Sequence, residues 1–300
     1  MKRTLITNAS WEPRFHLGSI RILEKYPEDY DQLVCLVATD FEDWTIENRL
    51  KVKAVCEQRK IDYIEHGYVL TDPLSAWRSV TIEFLEIISS TSFSIDVTTM
   101  PRLIIWTFLS LVRQSHVAQD SFFVFYSRPA DYGDDWVSRD PRKPFMVPRC
   151  GGITKLDCQT ALFVISGYDM ERIGQLMTVF EPAELIIAVQ TGSQFGNKPR
   201  NLDEVLKLRA EFPSAVIVDL DAYTSDCGYN QLKNILAPYL EEYNVVASSL
   251  GPKLSSVALM RIYSETESLS LVYTPSADYN RDYSKGIGET VECFFMTDDF

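Results

Sequence analysis

The amino-acid sequence predicts an α/β protein made of two tandem Rossmann-like units, each with a mainly parallel sheet, that are related by internal duplication. Short apolar segments of strand length alternate with longer segments of helical periodicity along the chain. This alternation is typical of parallel sheets whose strands are joined by helical crossovers. Two sequence motifs also occur once in each half, in the same order, which indicates that one unit has been copied.

The first half is predicted to contain strands and helices in strict alternation. Residues 33–38 are apolar without interruption, as expected of a strand covered on both faces. Pro13 and Pro73 suit the first turn of a helix. Residues 101–114 form a helix so apolar that we expect it to be buried. The predicted strands are residues 5–7, 33–38, 62–66, 93–97 and 122–126, and the other helices include residues 17–23, 47–59 and 73–88.

The second half repeats this order after a segment rich in proline and glycine. Residues 137–160 carry Pro141, Pro144, Pro148, Gly151 and Gly152, residues that interrupt regular structure. We therefore expect two domains, residues 1–150 and residues 151–300. The predicted strands of the second domain are residues 161–165, 185–189, 215–220, 245–247 and 269–273, with a helix around residues 229–240.

The composition supports a substantial core and argues against two classes of partner. Apolar residues make up 46% of the 300 residues, and there are 16 Phe and 15 Tyr. The net charge is −13, whereas a protein that binds duplex nucleic acid needs a basic face. No apolar run reaches the roughly 18 residues of a membrane span, and the first residues do not form a signal peptide. We expect neither duplex nucleic acid nor a membrane as a partner.

The six cysteines and three histidines do not form a metal-binding or disulfide pattern. The cysteines are scattered and include no Cys-x-x-Cys pair, which favours a cytoplasmic protein. The chain also lacks Gly-x-x-x-x-Gly-Lys-(Ser/Thr) and Gly-x-Gly-x-x-Gly, the phosphate-binding patterns of P-loop and dinucleotide-binding proteins. The sequence thus predicts neither a metal nor a cofactor.

The first repeated motif, which we call the helix-start motif, places two hydroxyl side chains and a base around a proline after the fourth strand of each half. A helix that begins there leaves its first N–H groups unpaired and directs the positive end of its dipole outward. With the hydroxyls and the base, this favours binding of a phosphate or carboxylate. Ordinary capping explains the hydroxyls but does not require the base. The residues are Thr98, Thr99 and Arg102 in the first half, and Ser248, Ser249 and Lys253 in the second.

The second repeated motif, the tyrosine motif, fits Tyr-x-x-x-Ala-Asp-Tyr-x-x-Asp-(Trp/Tyr) at residues 126–136 and 273–283. Its aromatic rings can stack on a base, and its acids can accept hydrogen bonds from ribose hydroxyls or an adenine amine. Alternatively, each Asp organises its own turn and the tyrosines pack beneath it. The residues are Tyr126, Asp131, Tyr132 and Asp135, and Tyr273, Asp278, Tyr279 and Asp282.

The loop after the first strand of each half completes the candidate ligand site. Ser10 and Arg14 in one half correspond to Ser166 and Arg172 in the other, with an aromatic residue and an acid between them. In an open parallel sheet, ligands bind beyond the carboxyl ends of the strands, where the strand order reverses. The loops after the first and fourth strands meet at that place.

The helix-start motif of the first half resembles the ligand motif of CARF domains, the Rossmann-like sensors of CRISPR-associated proteins. Residues 96–102 read Asp-Val-Thr-Thr-Met-Pro-Arg, which fits the family pattern (Asp/Asn)-x-(Ser/Thr)-x-x-x-(Arg/Lys). Ser249 and Lys253 keep the spacing of hydroxyl and base, but Ala247 stands where the family has an acid or amide. The resemblance implies a defence sensor for a cyclic oligonucleotide, with further contacts from the loop around Ser10.

Two such halves in one chain are similar to the SAVED arrangement, in which fused CARF-like halves bind one ligand. The implied partners are a small nucleotide or another phosphate-bearing ligand, together with an effector protein or a second copy in a homodimer.

Three functions remain compatible with the sequence. The favoured one is a sensor or regulator that binds a small phosphate-bearing nucleotide through the helix-start motifs, with the tyrosine motifs covering base and sugar. The second is an enzyme that hydrolyses a phosphodiester or glycosidic bond, with Asp131 or Asp278 as acid or base provided that it is buried. The third is a structural subunit, in which the motifs are caps and turns and the apolar residues 293–296 contact another chain.

Overall fold

The structure is a computed structural model that describes residues 3–115, 117, 119–133, 136–167, 170–190, 198–266 and 268–300. The chain folds into two compact units. Unit 1 comprises Met1–Asp134 and Arg281–Phe300, and unit 2 comprises Asp135–Asn280. Unit 1 is therefore built from two segments that are separated in the sequence by the whole of unit 2.

Strands and helices follow one another in the alternating order that the sequence predicts. The helices are α1 (Pro13–Lys25), α2 (Glu42–Arg59), α3 (Pro73–Ser90), α4 (Arg102–Gln114), α5 (Met170–Phe180), α6 (Lys198–Glu211), α7 (Tyr229–Glu242) and α8 (Lys253–Glu265). The strands are β1 (Arg3–Asn8), β2 (Tyr30–Ala38), β3 (Asp62–Tyr68), β4 (Ser92–Asp96), β5 (Ser121–Ser127), β6 (Asp131–Tyr132), β7 (Ser138–Pro141), β8 (Phe145–Met146), β9 (Thr160–Ile165), β10 (Glu184–Gln190), β11 (Val216–Leu220), β12 (Asn244–Ser249), β13 (Leu269–Tyr273), β14 (Ser276–Tyr279), β15 (Ser284–Lys285) and β16 (Thr290–Met296).

Unit 1 contains a six-stranded sheet with the order β16-β5-β4-β1-β2-β3. Strands β1 to β5 run parallel, and β16 runs antiparallel to β5 along its whole length. The central strands are almost wholly buried, because helices cover both faces of a parallel sheet. A short antiparallel ribbon, β6 with β15, accompanies the sheet.

Aromatic side chains fill the core of unit 1 beneath α4. The helix is buried over most of its length, as its apolar sequence predicts. The Phe108 ring of α4 packs against Phe84, Phe93 and Phe122 with ring centroids 5.0, 5.2 and 6.2 Å away. Edge-to-face packing of this kind stabilises a core beyond the burial of apolar area alone.

Unit 2 has a six-stranded sheet with the order β11-β10-β9-β12-β13-β8. Its five parallel strands take the places of the five in unit 1, and β8 is the antiparallel edge strand that corresponds to β16. A second antiparallel ribbon pairs β14 with β7. The predicted fold class, two Rossmann-like units with mainly parallel sheets, is confirmed, whereas their origin by internal duplication stays a prediction.

The units do not divide the chain where the sequence prediction places the domain boundary. Residues 135–150 belong to unit 2 because β7 pairs with β14 and β8 pairs with β13. Residues 281–300 belong to unit 1 because β15 pairs with β6 and β16 pairs with β5. In each case, strand pairing between segments far apart in sequence decides to which unit the residues belong.

The apolar residues 293–296, considered above as a contact for another chain, lie in β16. Cys293 and Phe295 are buried in unit 1, whereas Phe294 and Met296 are 55% and 47% exposed. The alternation follows from the two-residue period of a strand at the sheet edge. No helix within the described part of the chain is long and apolar enough to cross a membrane.

In unit 2 the loops after β9 and β12 are held together at two glycines. The N–H groups of Leu250 and Gly251 donate to the Ile165 carbonyl at 2.8 and 3.1 Å. A Cβ atom on Gly167 would overlap the Leu250 carbonyl oxygen, and one on Gly251 would lie 2.8 Å from the Ser166 carbonyl oxygen. The backbone at this point of the carboxyl edge is therefore too close-packed for a side chain.

Replacing Gly167 by alanine is expected to lower the free energy of unfolding by about 3 kcal/mol, because the added methyl group forces two loops apart. Gly174→Ala in α5 is the matched control. A Cβ atom at Gly174 meets nothing within 4 Å, so this change should stabilise unit 2 by about 0.5–1 kcal/mol through helix propensity. Urea denaturation of both variants measures the difference; equal stabilities would contradict the close packing of the two loops.

Candidate functional site

The candidate site in each unit lies where the loops after the first and fourth strands of the sheet meet. Strands β1 and β4 are neighbours in unit 1, as β9 and β12 are in unit 2. Helices α4 and α8 begin at Arg102 and Lys253, each with a proline at the N-cap. The base of each helix-start motif thus occupies the first helical residue, where the helix dipole is positive.

The threonine hydroxyls of unit 1 hold these two loops in place. The Thr98 N–H donates to Asp96 Oδ1 at 3.0 Å and its hydroxyl donates to the same oxygen, while the Ser127 N–H donates to Thr98 Oγ1 at 2.8 Å. The Thr99 hydroxyl donates to the Asn8 carbonyl at 2.6 Å. Thr98 is buried and Thr99 is half-buried. Both hydroxyls therefore support the loop after β4 from within the fold.

Asp96, the last residue of β4, is fully buried and organises the turn that follows it. Its Oδ2 atom makes no hydrogen bond to the residues that the structure describes. The Ser19 hydroxyl is paired instead with Thr7, whose Oγ1 atom lies 3.2 Å away. Burial raises the pKa of Asp96 to about 6, although the hydrogen bonds from Thr98 and the charge of Arg14 act in the opposite direction. The carboxyl group is thus close to its protonation midpoint at mildly acidic pH.

In unit 2 the serine hydroxyls have a comparable structural role. Ser249 Oγ lies 2.9 Å from Ser255 Oγ, and the Ser255 hydroxyl donates to the Pro252 carbonyl at 2.6 Å. Ser248 is fully buried. Arg102 and Lys253 are both half-buried, so the bases of the two motifs retain solvent access while most of the hydroxyls face inward.

The loop after β1 carries a buried ion pair. Arg14 Nε donates to Glu12 Oε2 at 2.9 Å, and an Arg14 terminal nitrogen lies 2.5 Å from the same oxygen. The Tyr283 and Ser284 hydroxyls donate to Glu12 at 2.6 and 2.7 Å. Arg14 also donates to the Ser127 carbonyl at 3.2 Å. Both charged side chains are more than nine-tenths buried, so Arg14 joins three segments of unit 1.

The surroundings of this pair favour both charges. Burial alone would raise the pKa of Glu12, but the charge of Arg14 and the hydroxyls of Tyr283 and Ser284 hold it below its ordinary value. Burial would lower the pKa of Arg14, yet the Glu12 carboxylate raises it well above its ordinary range. Glu12 is the N-cap residue of α1 but makes no side-chain cap bond, because its carboxylate is engaged by Arg14 and the two hydroxyls.

In unit 2, Arg172 occupies the place that corresponds to Arg14. It is buried, and it donates to Ser276 Oγ at 2.8 and 3.1 Å and to Ser138 Oγ at 2.7 Å. Ser166 is buried as well. Ser10 of unit 1 is also buried and accepts a hydrogen bond from the Glu12 N–H at 3.2 Å. The predicted residues of the loops after the first strands thus lie within the protein interior.

Each copy of the tyrosine motif spans a point where the chain passes between units. Residues 126–136 contain the first crossing and residues 273–283 contain the second. The Asp-Tyr pair of the first copy forms β6, and that of the second copy lies in β14. Each of these strands pairs with the chain that follows the other copy, since β6 pairs with β15 and β14 with β7.

The side chains of the tyrosine motif differ in how deeply they are buried. Tyr126 and Tyr273 are buried, so they present no free ring face, and Tyr132 and Tyr279 are half-buried. The Tyr132 N–H donates to Asp131 Oδ1 at 2.9 Å, which matches the turn-forming alternative for Asp131. Asp135 lies outside the described residues. The three described acids, Asp131, Asp278 and Asp282, are exposed.

Three aromatic residues lie at the carboxyl edge of unit 1, and only Trp11 among them was identified from the sequence, as the aromatic residue after Ser10. Trp11 follows β1, Phe41 follows β2 and Trp44 lies in the first turn of α2. Their ring centroids lie 5.1 to 5.8 Å apart, and all three residues are half-buried. The available signal was the occurrence of aromatic residues directly after two adjacent strands, although neither motif includes Phe41 or Trp44.

Comparison with known proteins adds a likeness at the level of the fold. No family model matches the chain, and no curated protein matches its sequence. Among the matching solved structures is a type III CRISPR defence DNA nuclease that is activated by cyclic oligoadenylate, with a TM-score of 0.56 and 9% sequence identity. The match covers 87% of this chain and 64% of the nuclease chain, so this chain corresponds to less than two thirds of the nuclease.

Glu12→Gln is expected to lower the free energy of unfolding by about 3–5 kcal/mol at neutral pH, because it leaves the Arg14 charge buried without its counter-ion. Since the pKa of Glu12 is depressed in the folded protein, the stabilisation is present at neutral pH and is lost as pH falls. Chemical denaturation measures the loss. Glu47→Gln, which removes a carboxylate from an exposed pair with Lys51, should leave stability nearly unchanged; equal effects would contradict the role of burial.

Asp96→Asn should change how stability depends on pH. The raised pKa of Asp96 means that the folded protein binds a proton more tightly than the unfolded chain, so its contribution falls as pH rises from about 4 to about 6, by roughly 2–3 kcal/mol. The asparagine variant lacks this titration and should gain stability relative to the wild type over that interval. Parallel pH-dependent profiles for the two proteins would show that Asp96 is not the titrating group.

Proposed function

We propose that this chain is a sensor that binds a small phosphate-bearing nucleotide at the carboxyl edges of its two parallel sheets. The observation that carries the proposal is the position of Arg102 and Lys253. Each is a half-buried base on the first residue of the helix that follows the fourth strand. That place combines a positive side chain with the positive end of a helix dipole at the strand-order reversal of the sheet.

The hydroxyls of the helix-start motifs support the site indirectly in this proposal. Thr98, Thr99 and Ser249 are bonded within their own units, and they fix the course of the chain just before each helix. A rigid helix start keeps the N–H groups and the base in position, so less conformational entropy is lost when an anion binds. Arg102 can engage a phosphate through two N–H groups, whereas Lys253 acts as a point charge.

The fold likeness and the sequence motif both support a cyclic oligonucleotide as the ligand class. The similar solved structure is activated by cyclic oligoadenylate, and residues 96–102 fit the CARF pattern. A cyclic oligoadenylate carries several phosphates and adenine bases, and the helix start of each unit favours an anion. We therefore take cyclic tetra-adenylate as the test ligand.

The catalytic alternative has less support from the geometry. Asp131 and Asp278 are exposed, whereas the proposed acid or base required burial. The structural-subunit alternative relied on residues 293–296, which unit 1 uses as the sheet strand β16. A role as a sensor needs neither a buried catalytic acid nor a free apolar segment.

Arg102→Ala and Lys253→Ala are each expected to weaken the binding of cyclic tetra-adenylate about 10- to 100-fold, because a hydrogen bond between charged groups is lost. Isothermal titration calorimetry at fixed ionic strength measures the change. Arg113→Ala is the matched control, since Arg113 is exposed in the last turn of the same helix as Arg102. It should bind like the wild type.

Binding that is unchanged in both Arg102→Ala and Lys253→Ala would contradict the phosphate site. Chromatography of the titrated nucleotide separates binding from catalysis, because a sensor returns the ligand intact. Conversion of the nucleotide that disappears in Asp131→Asn would favour the enzyme instead.

A further inference from the structure

The three aromatic residues at the carboxyl edge of unit 1, Trp11, Phe41 and Trp44, form what we call the aromatic cluster. The Trp11 and Trp44 ring centroids lie 5.2 Å apart with an interplanar angle of 78°, and Phe41 lies 5.8 Å from Trp11 and 5.1 Å from Trp44. The core rings of unit 1, such as Phe15 and Phe84, are fully buried, whereas every ring of the cluster is only half-buried. The residues of the cluster are therefore only partly covered by the protein, and Trp11 lies on the loop after β1, which is one of the two loops of the candidate site.

A cation covers part of this cluster. The Arg281 guanidinium carbon lies 3.6 Å from the centroid of the Trp44 ring, which is the distance of a stacked cation–π contact. Arg281 itself is exposed. The outer face of a guanidinium stacked in this way is a planar surface, and nucleobases stack on arginine planes as they do on aromatic rings.

The cluster is preorganised by hydrogen bonds from α2. The Asn48 amide donates to the carbonyls of Ser10 and Trp11 at 3.1 Å each and to the Glu12 carbonyl at 3.4 Å. These bonds hold the loop after β1 against the helix that carries Trp44. The Glu12 carboxylate in turn holds Tyr283, two residues after Arg281. The loop that bears Trp11 and the segment that bears Arg281 are thus fixed by the same group of contacts.

We infer that Trp44 and Arg281, supported by Trp11 and Phe41, form a stacking platform for a purine base of the ligand, an inference that rests on the proposed function. A hydrophobic patch that only closed the loops would not need a cation stacked on Trp44. The platform lies on the loops after β1 and β2, and the predicted phosphate contact lies at the start of the helix after β4. Base and phosphate would therefore be bound by different loops of one sheet edge.

The test compares cyclic tetra-adenylate with cyclic tetra-uridylate in the wild type, Trp44→Leu, Arg281→Ala and Arg102→Ala. Stacking is stronger for purines, so the wild type should prefer the adenylate, and Trp44→Leu and Arg281→Ala should each lose at least about five-fold in adenylate affinity. Their affinity for the uridylate should change much less. Arg102→Ala should weaken both ligands alike, because it removes a phosphate contact.

Arg261→Ala is the matched control for Arg281→Ala. The Arg261 guanidinium carbon lies 4.0 Å from the Tyr229 ring centroid in unit 2. The change therefore removes the same kind of stack from unit 2 and leaves the platform of unit 1 intact, so ligand binding should stay at the wild-type level. Thermal melting of each variant distinguishes lost stacking from lost folding.

Each outcome has a separate meaning. If the wild type binds neither cyclic nucleotide, the proposed function itself fails and the platform fails with it. If the wild type binds and Arg102→Ala weakens binding, while Trp44→Leu and Arg281→Ala keep the full adenylate affinity, only the platform is overturned. Equal losses of affinity for the adenylate and the uridylate in Trp44→Leu would also overturn it, because a contact that recognises a purine base must depend on which base is present.

Discussion

The buried ion pair between Glu12 and Arg14 determines how unit 1 is held together. Burying two charges costs more than their attraction returns unless additional hydrogen bonds satisfy them. Here the Glu12 carboxylate receives the Arg14 guanidinium and the hydroxyls of Tyr283 and Ser284. One of these donors lies 271 positions further along the chain. The loop after β1 can therefore keep its charges buried only when the returning segment 281–300 is in place.

Much of the fold could be predicted from the sequence because the parallel strands have a simple local signature. Strands β2 and β9 are covered on both faces over most of their length, so residues 33–38 and 161–165 are apolar without interruption. The short strands β6, β7 and β8 have no comparable signature. Three of the four residues of Ser138–Pro141 are polar, and this strand pairs with a partner strand far away in sequence. The local periodicity of a sequence does not predict strand pairing between segments so far apart.

The sequence predicts where the helix-start motifs lie in the fold better than it predicts the surroundings of the other candidate residues. The helix-start motifs lie at the starts of α4 and α8, directly after the fourth strand of each unit. The sequence could not show that Arg14 and Arg172 are buried, because both donate to hydroxyls of residues far away in the sequence. The tyrosine motif illustrates the same limit. Its two copies occur at the two crossings between units, so a repeated sequence can mark a repeated connection as well as a repeated binding surface.

The late return of β16 to the first sheet has a consequence for how the protein is made. A ribosome delivers residues from the N-terminus onward, and domains generally fold as they emerge. Unit 1 departs from that rule because two of its contacts form only after unit 2 has been synthesised. These are the pairing of β5 with β16 and the hydrogen bonds from Tyr283 and Ser284 to Glu12. In the interval β5 presents an unpaired edge of apolar residues, which is the kind of surface that attracts other nascent chains. Unit 2 is contiguous in sequence, so it can fold first, before residues 281–300 are synthesised and complete unit 1.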